Sequence, residues 1–283
     1  MHLRARPCAP PRTGAAGENF PVALRVLPAR TRRHLYAVYG YARFVDNLGD
    51  EPLPRQVDRI AALDQVETQL RDLYAGRPVI HPILHALAGT AHDCDLPLTP
   101  MLRLIEANRV DQRVTRYATF NQLLEYCTLS ANPVGELVLH VFGAASPHRV
   151  ALSDRICTAL QLIEHLQDIA EDHRRGRIYL PQADLDRFGV TEHDLAQPAA
   201  GRPLRDLIRF AADRARAWLE CGAPLVSTLH GWGRLAVSGY LAGGRAALTA
   251  LADQGYDPLP GAAKPRRRRV LGRWLVATAG GTG

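Results

Sequence analysis

Apolar residues return every three or four positions along most of the chain, as in Leu35, Val38, Ala42 and Val45, and again in Ile156, Leu160, Ile163 and Leu166. That spacing lines one face of an α-helix. Alternating runs bounded by turn residues, the mark of half-buried strands, are hard to find. Turn-forming stretches at Gly76-Arg77-Pro78, Leu96-Pro97, Ser146-Pro147, Gly176 to Pro181, Gln197-Pro198 and Gly222 to Pro224 interrupt the pattern. It predicts about eight or more helices, near residues 29–50, 54–75, 81–94, 99–117, 120–144, 148–174, 204–221 and 224–254. They are expected to pack as one all-α domain.

Composition bounds what that domain does. The chain has 283 residues, 47% of them hydrophobic and 22% charged, enough apolar material for a large core. Its formal charge of +7 sits at the ends: residues 1–17 carry Arg4, Arg6 and Arg12, and residues 261–283 carry Lys264, Arg266, Arg267, Arg268, Arg269 and Arg273, with no acid in either stretch. The part between is left slightly acidic, so a basic face for nucleic acid is not expected on the folded body. A disordered tail is expected at 1–17, a folded domain over 18–260 and a basic tail over 261–283. The segment KPRRRRVLGRWLVATAGG puts a cationic run before Leu271, Trp274, Leu275 and Val276. It fits peripheral contact with an anionic bilayer, where each cation near the surface is worth ~1 kcal/mol; a solvated tail is the alternative.

The opening MHLRARPCAPPRTGAAG lacks the apolar centre of a secretory signal, and nowhere do ~18 apolar residues run together. Cys8, Cys94, Cys127, Cys157 and Cys221 form no CxxC pair, which argues against a disulfide scaffold or thiolate zinc site and for a reducing, cytoplasmic setting. Neither GxSxG nor GxxxxGK[ST] occurs, and no strand precedes a GxGxxG.

Two helices carry residues that core packing does not explain. In the first, Tyr36, Tyr39, Arg43, Asp46 and Asp50 follow at spacings of three and four, and Gln161, Glu164, Asp168 and Asp172 do the same near 148–174. Each stripe holds an Asp-x-x-x-Asp pair on one helical face, with Arg43 or Arg177 close by. One such pair repels by roughly 0.2–0.5 kcal/mol and is ordinarily solvated surface. Two pairs in two amphipathic helices point to Mg²⁺, which takes a few carboxylate oxygens and fills its other positions with water and phosphate. Such ions stabilise the charge that builds on a departing diphosphate. The carbocation left behind needs a water-poor cavity lined by aromatic faces. Tyr39, Phe44, Tyr126, Phe142 and Tyr240 are available for it; core packing is the alternative for each.

At these residues the chain resembles the squalene/phytoene synthase family. The segments GENFPVALRVLPARTRRHLYAVYGYARFVDNLGDE, YCTLSANPVGELVL and ALQLIEHLQDIAEDHRRGRIYLPQADLDRFGV match it in order and spacing, across roughly residues 18 to 258. ENFPVA looks like the hydroxysqualene-forming branch more than the phytoene or presqualene diphosphate branches. The resemblance implies an all-α isoprenoid synthase fold around a central cavity. It makes Asp46, Asp50, Asp168 and Asp172 the Mg²⁺ carboxylates. It implies that Arg43 and Arg177 contact diphosphate, that Tyr39, Tyr126, Gln161 and Tyr240 line the cavity near the reacting carbons, and that Asn19 is a further polar contact to diphosphate. Glu164 falls among the substrate-binding positions. The reaction implied is ionisation of presqualene diphosphate, rearrangement and capture by water, giving hydroxysqualene and diphosphate without a reductant.

Three residues depart from the family pattern. Asn47 stands where a second adjacent aspartate is usual, Glu164 replaces a common asparagine, and Gln167 replaces a basic residue found in many condensing relatives. A less cationic second motif favours an enzyme handling one diphosphate over one handling two. Head-to-head condensation of two prenyl diphosphates is the enzymatic alternative, and a catalytically silent binding or assembly protein is the alternative of another class. The retained carboxylates count against the latter. His81 and His85 make a weak zinc pair with Pro82 between them, and His165 beside the acidic stripe is read as a packed or solvated imidazole rather than a proton shuttle.

Overall fold

A computed structural model describes residues 27–50 and 56–261; the side chains of Asp50 and of residues 56–58 lie outside that description, as do Asn19, the tail assigned to 1–17 and all but residue 261 of the tail assigned to 261–283. Thirteen helices make up the described residues. The N-terminal half contains α1 (Ala29–Asp50), α2 (Gln56–Tyr74), α3 (Pro82–Asp93) and α4 (Leu98–Asp111), then α5 (Phe120–Ser130) and α6 (Asn132–Val141). The rest holds α7 (Pro147–Gln167), α8 (Ile169–Arg174), α9 (Gln182–Phe188), α10 (Glu192–Leu195), α11 (Arg202–Gly222), α12 (Leu225–Thr228) and α13 (Gly231–Asp253). No strand occurs among the described residues, and Arg116 and Ile178 form an isolated parallel bridge.

Local chemistry sets many of the helix ends. Thr119 and Ser146 accept hydrogen bonds from the Gln122 and Arg149 backbone N–H groups at 3.3 Å and start α5 and α7. Thr191 and Asp194 close a capping box on α10, and Gly189 ends α9 at φ +64°. Three of the long predicted helices are divided. The run at 120–144 breaks at Ala131, because Pro133 has no N–H to give and crowds the preceding turn. The run at 148–174 breaks at Asp168, whose backbone leaves helical geometry at φ −103°, ψ 13°. The Asp172 N–H still reaches the Asp168 carbonyl at 2.8 Å, so the two carboxylates stay one turn apart. The run at 224–254 breaks at Leu229 and His230, before Gly231 at φ +54°. The helix predicted to reach residue 117 ends at Asp111, since residues 115–118 lie extended beside 178–183. The short helices α9 and α10 fall in a stretch assigned no helix from the sequence.

Two large apolar clusters result. Val38, Tyr41, Val45, Leu63, Leu70, Leu84, Met101 and Ile105 join α1 to α4. The second cluster surrounds α7, where Ile156, Ala159 and Ile163 meet the α11 stripe of Leu204, Leu207, Ile208, Ala212, Ala215 and Leu219, with α13 alongside. Between them α6 sends apolar side chains to three sides: Leu137 joins the first cluster, Leu139 the second, and Val138 a third with Leu27 and Leu35. Helix α13 is long and apolar enough to cross a bilayer by composition, but 61% of its most apolar stretch is buried against the rest of the fold.

The central helix is approached closely by α11. A Cβ built on Gly222 would stand 2.8 Å from the Leu152 carbonyl oxygen and 2.6 Å from Ile156 Cγ1. A backbone oxygen cannot turn aside, so Gly222→Ala forces the two helices apart. It is expected to lower unfolding stability by about 1–3 kcal/mol, the usual cost of overpacking, measured as a lower urea midpoint with unchanged slope.

Candidate active site

The first polar stripe runs along α1 with Tyr36, Arg43 and Asp46 exposed and Tyr39 half-buried. Asp46 Oδ1 accepts a hydrogen bond from Asn108 Nδ2 of α4 at 3.2 Å. Phe44, proposed for the cavity, instead turns inward and stacks on His81 with ring centroids 4.1 Å apart. His81 is occupied as the N-cap of α3, its Nδ1 accepting from the Ile83 N–H at 3.3 Å, and exposed His85 makes no metal pair with it. Phe142 packs with Leu27, Leu35 and Val138, and Tyr240 belongs to the same cluster. Burial and, secondarily, the nearby Cys157 push the Tyr240 phenol well up.

The second stripe spans the α7–α8 break. Glu164 and Asp172 are half-buried and Asp168 is exposed. Burial raises the Asp168 carboxyl above its usual range, with Glu171 adding to the effect and Arg175 opposing it. Asp172 is pushed up to about 7 by burial and then by Asp168, against the pull of Arg175 and Arg177. Gln161 Nε2 and His165 Nε2 are 3.3 Å apart. Gln167 is 3% exposed, so it faces the core and not the open flank that carries Asp168.

The loop after α8 is fixed by the loop after α4. The Ile178 N–H donates to the Thr115 carbonyl at 3.0 Å, and the Gln182 N–H to the Tyr117 carbonyl at 2.8 Å. Arg116 ties both down: its fork meets both Glu192 carboxylate oxygens at 2.9 and 3.0 Å, and its Nη1 donates to the Gly176 carbonyl at 2.7 Å. The Arg177 N–H donates to the Asp172 carbonyl at 2.8 Å, which brings this half-buried arginine to the acidic turn.

This clip assembles an aromatic floor. Tyr179 lies flat on His165 with centroids 3.7 Å apart, and its ring is 5.8 Å from both Tyr117 and Tyr126. The Tyr126 hydroxyl donates to Asp111 Oδ2 at 2.9 Å. Burial shifts every group towards neutrality: the Tyr117, Tyr126 and Tyr179 phenols are pushed up, and His165 is pushed down to about 3. The Tyr117 hydroxyl is buried with no hydrogen-bond partner among the described residues. Two small cavities of about 20 and 10 Å³ border the floor, the first between His165, Tyr179 and Leu162, the second between Tyr179, Arg177 and Asp172.

The structure thus brings Tyr126, Gln161, Arg177, Asp168 and Asp172 to one region, with Glu164 on the same helix end. Asp46 is connected to it through α4, where Asn108 and Asp111 sit one turn apart. Among the described residues no three or more His, Cys, Asp or Glu side chains converge as a preformed metal cage. Sequence reasoning missed Asn108, Asp111 and Tyr117, and valued Tyr179 only as part of a motif. The available signal was the Asn-x-x-Asp-Gln stripe of α4, which repeats the spacing seen in the two acidic helices.

Comparison with known proteins follows this geometry. The squalene/phytoene synthase family model matches residues 13–274. The chain is 32% identical over 274 residues to the hydroxysqualene synthase of Zymomonas mobilis, covering 94% of this chain and 89% of the relative. It is 34% identical over 221 residues to the phytoene synthase of Mycobacterium bovis, covering 77% and 72%. The crystal structure of squalene synthase HpnC from Alicyclobacillus acidocaldarius is similar with a TM-score of 0.75 at 45% identity, over 82% of this chain and 87% of that one.

The crowding at Asp172 has a consequence for folding. Between about pH 4 and pH 7 the folded chain keeps a proton that an unfolded aspartate has lost, so this group's contribution to stability falls as pH rises through that window. In chelator-treated protein, Asp172→Asn should melt about 2–4 °C above wild type at pH 8, the shift produced by about 1 kcal/mol after solvent screening. The two melting curves should converge near pH 4.

Proposed function

Because the chain belongs to the squalene/phytoene synthase family, we propose that it converts presqualene diphosphate and water to hydroxysqualene and diphosphate. The observation that carries this reading is the Asp168–Asp172 pair, both carboxyls raised chiefly by burial, with Arg177 beside it and a neutral aromatic floor behind it. An oxygen-only carboxylate pair suits a hard divalent cation such as Mg²⁺, which takes a few carboxylate oxygens and keeps positions for water and phosphate. Asp46, Asp168 and Asp172 would hold it, joined by Asp50. When bound, Mg²⁺ supplies Lewis-acid stabilisation of the departing diphosphate.

The protein's own residues do the rest. Arg43 and Arg177 take the diphosphate oxygens, and Asn19 adds a polar contact. The carbon–oxygen bond to diphosphate breaks with both electrons leaving on oxygen. Tyr126 and Tyr179 present ring faces to the cyclopropylcarbinyl cation, which their electron-rich faces favour. Tyr39 and Tyr240 line the hydrocarbon path, and Gln161, held near His165, bounds it on the acidic side. After rearrangement a water oxygen adds to the cation and loses one proton. The basic segment 264–276 keeps the enzyme at an anionic membrane surface on the cytoplasmic side, where so apolar a product is released.

The similarity to a phytoene synthase favours one rival, condensation of two prenyl diphosphates. Incubating the chain with presqualene diphosphate or farnesyl diphosphate, each with and without Mg²⁺, separates the two by product mass spectrometry. Hydroxysqualene from presqualene diphosphate, formed only with Mg²⁺, is expected; a condensed product from farnesyl diphosphate alone would establish the rival. Asp168→Ala should lower turnover by at least about a hundredfold, the scale of losing one main electrostatic contributor, with helical content and melting temperature nearly unchanged. Full activity in that variant would remove Asp168 from the metal site.

A further inference from the structure

We propose that Asn108, Gln112 and Arg59 form a polar latch that sets where the Asp46 carboxylate stands, making them positioning residues for the divalent cation; this rests on the metal reading above. Asn108 and Gln112 lie one turn apart on α4, 5% and 9% exposed. Asn108 Nδ2 donates one hydrogen to the Leu104 carbonyl of its own helix at 3.1 Å and the other to Asp46 Oδ1 at 3.2 Å. Gln112 Nε2 donates to the Asn108 carbonyl and to the Gly49 carbonyl of α1, both at 3.1 Å. Its Oε1 accepts from Arg59 Nη1 of α2 at 3.2 Å, so three helices meet in one chain of bonds.

Gly49 makes the approach possible. A Cβ at that position would collide with Asn108 Oδ1. With no side chain there, the amide reaches under the last turn of α1 and turns its NH₂ towards Asp46. The reverse orientation would set amide oxygen against carboxylate oxygen, so the bonds define which way the amide points.

The chemistry of the donor matters. Two amides buried between helices cost free energy unless their bonds are made, and leucine at either site would pack an apolar interface more cheaply. A guanidinium in place of Asn108 would fix Asp46 equally well but neutralise it. An amide fixes the carboxylate's direction without bringing a positive charge of its own. Preorganisation of this kind lowers the reorganisation that binding must otherwise drive.

The test uses the full-length chain after chelator treatment, with Mg²⁺ titrated in alone and with inorganic diphosphate, and the melting temperature read at each concentration. Wild type should be stabilised by Mg²⁺ with diphosphate. Asn108→Leu should need at least fivefold more Mg²⁺ for half the effect, while its metal-free melting temperature equals or exceeds that of wild type. Asn108→Ser, too short to reach Asp46 and small enough to fold, should show the same rise. Steady-state assays should show the half-saturating Mg²⁺ concentration rising more than kcat falls. A wild-type midpoint in both variants overturns the latch and leaves the metal reading standing. No response in wild type itself overturns the metal reading and the latch with it.

Discussion

The repulsion between carboxylates one helical turn apart, in surroundings that solvate them poorly, is the constraint to which the rest of the site answers. Asp168 and Asp172 both resist ionisation, chiefly because of burial; Glu171 adds to the effect at Asp168, and the charge of Asp168 adds to it at Asp172. Arg175 and Arg177 offset this only in part. A pair in that condition costs stability in the free protein and favours whatever positive charge arrives, and selection keeps such a pair where function depends on it. The cost is carried by α7, whose other face is locked into the main core by α11 along most of its length. The strain falls at the end of that helix, where Asp168 leaves helical geometry and α8 begins.

Holding a cation and a carbocation in one cleft requires fixed parts contributed by distant segments. The loops after α4 and α8 are brought together by backbone bonds and by the two-pronged Arg116–Glu192 contact across 76 residues of sequence. In an extended segment alternate residues leave on the same side, so Arg177 and Tyr179 emerge together, one towards Asp172 and the other onto His165. A single short clip therefore orients the arginine proposed to meet diphosphate and a ring of the floor. Helix α4 contributes two further side chains, Asn108 on Asp46 and Asp111 on Tyr126.

What the sequence revealed and concealed follows from the range of each interaction. The helical periodicity located α1, α2, α3 and α11 within a few residues, because it reports a local property of the backbone. The acidic stripes were legible for the same reason, since their members are neighbours on one helix. Pro133 was read through because the apolar rhythm continues on both sides of it, and the Asp168 break was hidden because the one-turn register survives it. Phe44 shows the limit most plainly. It shares a helix with the site residues, and only its stacking on His81, from a different helix, turns it into the core. Asn108, Asp111 and Tyr117 gain their meaning from partners across the fold, and no spacing within α4 names those partners.

The same electrostatics bear on where protons go. Burial keeps the tyrosines protonated, and His165, with its pKa driven down to about 3, is a neutral and very weak base at physiological pH. The rings that the hydrocarbon end of the proposed substrate meets are thus neutral, and the Asp111 carboxyl group beside them is held by the Tyr126 hydroxyl. A cation formed there finds quadrupoles to stabilise it. In the proposed reaction the proton released when water adds to the cation cannot rest on His165, whose stacking against Tyr179 gives it a structural part in the floor. The departing diphosphate, generated in the same cleft and far more basic than that imidazole, is the natural acceptor, so the leaving group and the proton can exit together.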